Sequence, residues 1–367
     1  MTFGARALIR LGALQHNLKA IRAAAPNARI MAVVKANAYG HGMTTVAESL
    51  GETDAFAVAR LPEAVLLQDS GVEKPIVLLA GALTAEELDE ALQRGFELVV
   101  HCIEQVELLE SSRHGSAVVW LKFDTGMNRL GFRPVDADGL IRRLQACPAV
   151  GELRLMSHFA SADELENPAT EEQLEAFRGV VDGFEGAVSI ANTPATLGWS
   201  QMADAPAKLG FSGDHWVRPG IALFGISPFP GQTGAELGLQ PVMQFEARLI
   251  AAKPLAEGAR VGYKGRYRAQ RDTTMGIISA GYGDGYTRHF RTGAPVLLNG
   301  RRVPLIGNVS MDMIAVDLGA DAGDSIGDIA TLWGPGLPVE EVAPWADAIP
   351  YELVCGVMHR EAQQNVE

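Results

Sequence analysis

Lys35 stands immediately after the apolar run Ile30–Val34, so a strand there presents its amine at the carboxyl end. Withdrawal from water disfavours the ammonium form, which would make this amine a Schiff-base nucleophile or a general base. The same side chain can instead extend its stem and keep its head in solvent, and position alone favours neither. In "VVWLKFDTGMNRLG", alternation puts Trp120, Lys122 and Asp124 on one face. By spacing alone, Lys122 and Asp124 read as a local ion pair. His158 closes another apolar run, where a lone histidine is ordinarily a core or rim residue. Asn192, Thr193 and Pro194 read as a helix N-cap with proline at the first helical position. Tyr263, in "RVGYKGRY", reads by composition as a strand tyrosine, and the Gly-rich "SAGYGDGY" around Tyr282 as a hairpin. No GxxxxGK[ST], HExxH, GxSxG or EF-hand pattern occurs, so P-loop, zinc-protease, serine-hydrolase and calcium chemistries lack support.

These side chains need a frame. Short apolar runs alternate with helical periodicity over the first part of the chain, the pattern of βαβ units around a parallel sheet. Eight runs end at Val34, Ala59, Ala80, Val100, Phe123, Phe159, Asn192 and near Gly225. Leu11–Ala25, Leu61–Ser70 and Thr84–Arg94 read as helices between them, the last opening on a Thr84-x-x-Glu87 capping box. Eight strands with crossovers predict an α/β architecture, a closed (β/α)8 TIM barrel over residues 1–232, whose active site is built at the carboxyl ends of the strands. After the Pro/Gly stretch Ser227–Gly234 helical periodicity fades. Short strands follow, with the Asn299-Gly300 dipeptide of a type I′ hairpin, and predict a second, mostly β domain over residues 233–367.

A length of 367 residues suits two domains, and 47% hydrophobic with 20% charged residues is ordinary globular usage. With 31 Lys and Arg against 44 Asp and Glu, the net charge of -13 opposes a phosphate-backbone partner, so no nucleic-acid role is expected. Cys102, Cys147 and Cys355 are odd in number and widely spaced, which encodes neither a disulfide framework nor a zinc cluster and fits a reducing cytoplasm. The N-terminus lacks the apolar core of a signal peptide, and no run is long enough to span a bilayer. Neither a membrane partner nor a metal is expected.

The segment around Lys35, "AVVKANAYGHG", resembles the pyridoxal-phosphate attachment signature of the alanine racemases, and the resemblance extends over nearly the whole chain. It implies that Lys35 carries the cofactor and that Tyr39 bonds its phosphate. The stretch Lys122–Gly131 is similar to a family motif in which the arginine, here Arg129, binds the substrate carboxylate and orients a tyrosine. The lysine at the Lys122 position is carbamylated in several members. His158 would hydrogen-bond Arg218, which the motif "VRPGIALFG" sets against the pyridine nitrogen. A permanently charged guanidinium gives that nitrogen no reason to hold a proton, so the ring becomes a weaker electron sink. Asn192, Thr193, Gly220, Ile221 and Tyr351 fall where the family binds the phosphate. Thr193 replaces a frequent serine, and its hydroxyl can make the same bond.

In the second half, Tyr263 matches the family's second catalytic base, Tyr282 lies at the entrance, and Met311 and Asp312 approach the substrate. The tail after Cys355 departs from the family ending. The resemblance therefore implies racemisation of L- and D-alanine by a two-base mechanism, with D-alanine destined for bacterial peptidoglycan. It also implies a homodimer in which Tyr263 and Met311 of one subunit complete the site around Lys35 of the other. The alternatives are a racemase of broader amino-acid range, a decarboxylase on the related barrel, and a non-catalytic pyridoxal-phosphate-binding protein. The last has no β domain to supply a Tyr263.

Overall fold

The fold is that of a computed structural model, which describes residues 4–113, 115–357 and 364–366. Eight parallel strands close into a barrel: β2 (Arg29–Val33), β3 (Ala55–Val58), β4 (Ile76–Leu78), β5 (Glu97–Val100), β6 (Ala117–Lys122), β7 (Val150–Met156), β8 (Val188–Asn192) and β9 (His215–Arg218). Each of the eight apolar runs contributes one of them, and all but β7, which is exposed at Gly151 and Glu152, are largely buried, as a sheet covered by helices requires. The helices Leu11–Ala24, Leu61–Asp69 and Ala85–Arg94 fall where periodicity put them. Thr84 caps the last, its Oγ1 accepting from the Glu87 N–H at 3.2 Å while Glu87 accepts from the Leu83 N–H at 2.9 Å.

The remaining strands form the second body: β10 (Met243–Leu255), β11 (Arg260–Val261), β12 (Tyr267–Arg268), β13 (Thr273–Ile278), β14 (Pro295–Leu298), β15 (Arg301–Ile306), β16 (Ile314–Gly319), β17 (Ile329–Trp333) and β18 (Gln364–Val366). The long β10 pairs with β17 near its start and with β13 towards its end, which closes β10-β13-β16-β15-β14-β17 into an antiparallel ring. Asn299 and Gly300 both take positive φ, 49° and 77°, and join β14 to β15 as the hairpin dipeptide requires. One strand departs from the expected division. β1 (Arg6–Arg10), counted with the barrel from its place in the chain, pairs antiparallel with β10 and parallel with β18. A 2.7 Å Arg6–Glu246 ion pair pins it there.

Towards the amino ends of the strands the barrel is plugged by a polar-aromatic stack. Glu97, buried, accepts from Trp120 Nε1 at 2.7 Å and from Arg154 at 3.2 Å. The Arg154 guanidinium lies 5.1 Å from the Trp120 ring centroid and 5.4 Å from that of Trp216. Removing Glu97 strands an indole N–H and breaks one of the two ion pairs of Arg154, which keeps the other to Glu152 at 2.6 Å. Glu97→Ala should lose about 3 kcal/mol in denaturant unfolding, and Glu97→Gln, which keeps an acceptor for Trp120, should lose clearly less. Equal losses would show that the ion pair and the indole bond contribute nothing separable.

Candidate active site

β2 ends at Val33, and the chain after Lys35 turns the wrong way. Ala36, Asn37 and Ala38 have φ/ψ of 53/52, 53/45 and 53/53°, and Tyr39 also has φ 53°. This is a turn of left-handed helix built from L residues, a conformation that costs roughly 1–2 kcal/mol per residue. It persists because its surroundings over-determine it. The Ala36 N–H donates to Glu63 Oε1 at 2.7 Å, and Asn37 Oδ1 accepts from the Met43 N–H at 2.9 Å. Nδ1 of His41 lies 3.0 Å from the Ala38 carbonyl and 2.9 Å from that of Tyr39, so it carries the proton. Its ring stacks on Phe224 with centroids 4.3 Å apart. Gly40 closes the turn at φ 81°, so near the helix Pro350–Cys355 that a Cβ would come within 2.2 Å of the Val354 carbonyl.

Cations converge on this turn from the other strand ends. Lys122 ends β6 and is buried; desolvation first, then Arg218 and Arg129, lower its amine to about 8. Lys35 is lowered likewise by burial and then by Arg129, with Glu63 opposing. Lys122 and Asp124 do not form the ion pair that spacing suggested. Asp124 spends its carboxylate on the N–H groups of Gly126, Asn128 and Arg129, each at 3.0 Å, and so shapes the loop that carries Arg129. Arg218, at the end of β9, is 95% buried by its 5% exposure, and its partners are all uncharged. They are Ser189 Oγ at 2.5 Å, the Ser157 carbonyl at 2.6 Å, the Ile190 carbonyl at 3.2 Å and His158 Nδ1 at 3.1 Å. Because a guanidinium only donates, His158 must accept at Nδ1 and be neutral. Burial, with Arg218 and Lys122 next, accordingly pushes its pKa well below the usual histidine value.

A second group sits beside this one. Asn192 Oδ1 caps the short helix Thr193–Gly198 through the Ala195 N–H at 3.2 Å, as its sequence suggested. Thr193 Oγ1 accepts from the Gly220 N–H at 2.9 Å, and Ile221 opens the following turn. A Cβ on Gly220 would lie 2.4 Å from the Tyr39 hydroxyl, so glycine is what lets this backbone meet that tyrosine. The rings of Tyr39 and Tyr351 are 6.1 Å apart, and burial raises the pKa of both, keeping their hydroxyls as protonated donors. Backbone amides, hydroxyls and four cations with almost no free carboxylate form a receptor for an anion.

Lys35, Tyr39, Lys122, Arg129, His158, Asn192, Thr193, Arg218, Gly220, Ile221 and Tyr351 thus gather at one end of the barrel. Tyr263, Tyr282, Met311 and Asp312 form a separate group on the β domain. The Tyr282 N–H donates to the Ser310 carbonyl at 3.0 Å, the Gly283 N–H to that of Met311 at 2.8 Å, and Asn308 Nδ2 to that of Tyr263 at 3.2 Å. Tyr263 stands on a tight turn between β11 and β12 rather than within a strand. It is 70% exposed, Met311 53% and Tyr282 40%, unusually bare for large apolar side chains held on ordered backbone.

Sequence reasoning did not single out Glu63, His41, Ser157 or Ser189. His41 was visible inside the attachment segment. Ser189 within β8 and Ser157 just past the end of β7, both buried, gave no signal, and neither did Glu63.

The family model described as "Alanine racemase, N-terminal domain" matches residues 9–228, and that described as "Alanine racemase, C-terminal domain" matches 242–364. The chain is 48% identical over 352 residues to the alanine racemase of Vibrio parahaemolyticus, covering 95% of this chain and 96% of that one. It is also 48% identical over 358 residues to that of Vibrio cholerae, covering 97% and 96%. Among solved structures, the biosynthetic alanine racemase of Pseudomonas aeruginosa superposes with a TM-score of 0.93 at 40% identity over the full length of both chains. That of Acinetobacter baumannii gives 0.88 at 34%, again over both full lengths. With both halves matched in order and the strained turn and its lysine standing where the two meet, this chain belongs to the alanine racemase family.

Proposed function

We propose that this protein interconverts L- and D-alanine with pyridoxal phosphate, supplying D-alanine for peptidoglycan. The observation that carries the reading is Lys35, a desolvated amine on a strained turn among cationic side chains and hydroxyl donors. The residues fit the cofactor: Lys35 Nζ would attach it covalently, and Tyr39, Asn192, Thr193, Gly220, Ile221 and Tyr351 would hold its phosphate. Arg218, fixed by four neutral acceptors, would face the ring nitrogen with His158 behind it. When bound, pyridoxal phosphate acidifies the Cα proton of an attached amino acid.

Arg129 would hold the substrate carboxylate. Lys35 Nζ takes or returns the proton on one face of Cα and Tyr263 Oη on the other, each as base in one direction and conjugate acid in the reverse. Met311, Asp312 and Tyr282 would line the approach. Lys122 would react with carbon dioxide, its amine adding to carbon and losing a proton, so that a carbamate anion answers Arg129. An amine lowered to about 8 is neutral in part at physiological pH, as that reaction requires. Residues 1–232 hold the cofactor and 233–367 bring the second base, with β1 lent to the second body. The exposure of Tyr263 and Met311 favours a homodimer with shared sites. No described helix is long and apolar enough to cross a membrane, and the three cysteines are free thiols. These fit the cytoplasm, where this activity belongs.

Purified protein should be yellow, and borohydride should fix the pyridoxyl group to Lys35 in peptide maps. A label on Lys122 would sink the assignment. Carbon-13 bicarbonate should give a carbamate resonance in the native protein that Lys122→Met abolishes, and a resonance surviving that change would remove Lys122 from the role.

The shared site has a sharper test. Lys35→Ala and Tyr263→Phe should each lose on the order of 100- to 10,000-fold in activity. Refolded together, random pairing makes about half the dimers mixed, and each mixed dimer has one doubly damaged and one intact site. Activity should recover to about a quarter of the unmodified protein per subunit. No recovery would mean that Tyr263 acts within its own chain.

A further inference from the structure

We infer that Glu63 is a positioning residue of this site, a single carboxylate that fixes the left-handed turn at its first peptide and sets its negative charge beside the Lys35 amine. The inference rests on Lys35 being the cofactor lysine. Oε1 accepts from the Ala36 N–H at 2.7 Å, while Oε2 accepts from the N–H groups of Ala59 at 2.8 Å and Arg60 at 3.0 Å. Ala59 follows β3 and Arg60 precedes the helix Leu61–Asp69. An ordinary capping glutamate reaches back only to its own N-cap amide. This one also crosses 27 residues to the exit of β2 and holds the residue next to Lys35. Bonds from amides to an ionised acceptor are among the stronger kind, and Ala36 is where the backbone first takes the left-handed conformation.

The charge is as informative as the bonds. Lys35 is faced by Arg129 from the loop after β6, by Arg218 from β9, by the Cys355 thiol and by Glu63. Lys122 also acts within this group. His158 is neutral, and Asp124 is committed to its loop amides. Glu63 is therefore the carboxylate that tempers a cationic surrounding, and its sign is opposite to that of burial and Arg129. Without it the Lys35 amine would lose its proton at lower pH.

Two substitutions test the clamp and the charge. Glu63→Gln removes the charge and leaves one acceptor oxygen where two now serve three amides. Glu63→Asp keeps the charge and shortens the reach to Ala36. In full-length protein freed of cofactor, acylation of Lys35 by acetic anhydride, followed across pH by peptide mass spectrometry, reads the amine directly. The midpoint should fall in Glu63→Gln and stay near the unmodified value in Glu63→Asp. Glu63→Asp should instead retain pyridoxal phosphate more weakly on dialysis, on the order of tenfold, as expected from one lost charge-assisted bond. An unmoved midpoint in folded Glu63→Gln, or cofactor retention unchanged in Glu63→Asp, would overturn the inference, and the aspartate arm stands even if the glutamine variant fails to fold. Because the midpoint is read without cofactor, its failure is distinct from a borohydride label found away from Lys35.

Discussion

Arg218 is a buried guanidinium with no carboxylate partner, and the barrel mouth is arranged around that fact. An isolated charge in the interior is tolerated only when dense hydrogen bonding replaces water. Here one serine hydroxyl, two carbonyls and an imidazole do so, and burial lowers the group only to about 9, so it stays charged at neutral pH. Its charge then governs its neighbours. His158 must be neutral to accept from it, and Lys122 is driven towards its amine form. Gln173 steadies the arrangement from behind, donating to the His158 carbonyl at 3.0 Å and accepting from the Ala160 N–H at 2.8 Å. Such a field stays unbalanced until an anion enters it, which is why the same residues that look strained alone make sense as a receptor.

The second element is backbone rather than charge. A left-handed turn of four non-glycine residues costs more than its few backbone bonds return, so it also draws on packing: His41 on Phe224, Tyr39 between Phe224 and Tyr351, and Gly40 against Val354. The helix Pro350–Cys355 is shared. A Cβ on Gly285, in the turn after Tyr282, would come 2.3 Å from the Gly356 carbonyl just beyond it. Thus the segment bearing Tyr351 touches the left-handed turn on one side and the Tyr282 loop of the β domain on the other. Position in the barrel and position in the β domain are coupled through one short helix.

Periodicity carried the fold because parallel strands buried on both faces read as largely apolar runs, and each of the eight fell on such a run, β7 with Glu152 and Arg154 inside it. The hairpin at Asn299-Gly300 was legible because only positive φ suits it. β1 was not. Its alternation of half-buried and buried residues is genuine, but a five-residue strand at a chain end carries no mark of which sheet will take it, and the partner β10 lies more than two hundred residues away. The residues gathered around Lys35 were legible through the attachment motif. The left-handed turn was not, since alanine and tyrosine have no propensity for it and only Asn37 hints at it. Glu63 was hidden for a related reason: its partner is a backbone amide, and backbone amides leave no trace in sequence.

The distribution of bases follows from barrel geometry. Strand ends form a ring, and side chains on that ring reach a bound molecule from below and from its sides. Racemisation needs a proton delivered to both faces of one carbon, so one base must come from a body lying over the mouth. Within the chain that cover is the helix Pro350–Cys355, which brings Tyr351 and Cys355 towards Lys35. Tyr263 is held elsewhere, by Asn308 at its carbonyl, on a turn where Lys264 takes φ 63° and Gly262 takes φ 70°. A turn of that conformation projects a side chain outwards at a cost in backbone energy. Leaving a large phenol mostly in water on such a turn fits the proposed shared site, in which the surface it meets would belong to another copy of the chain.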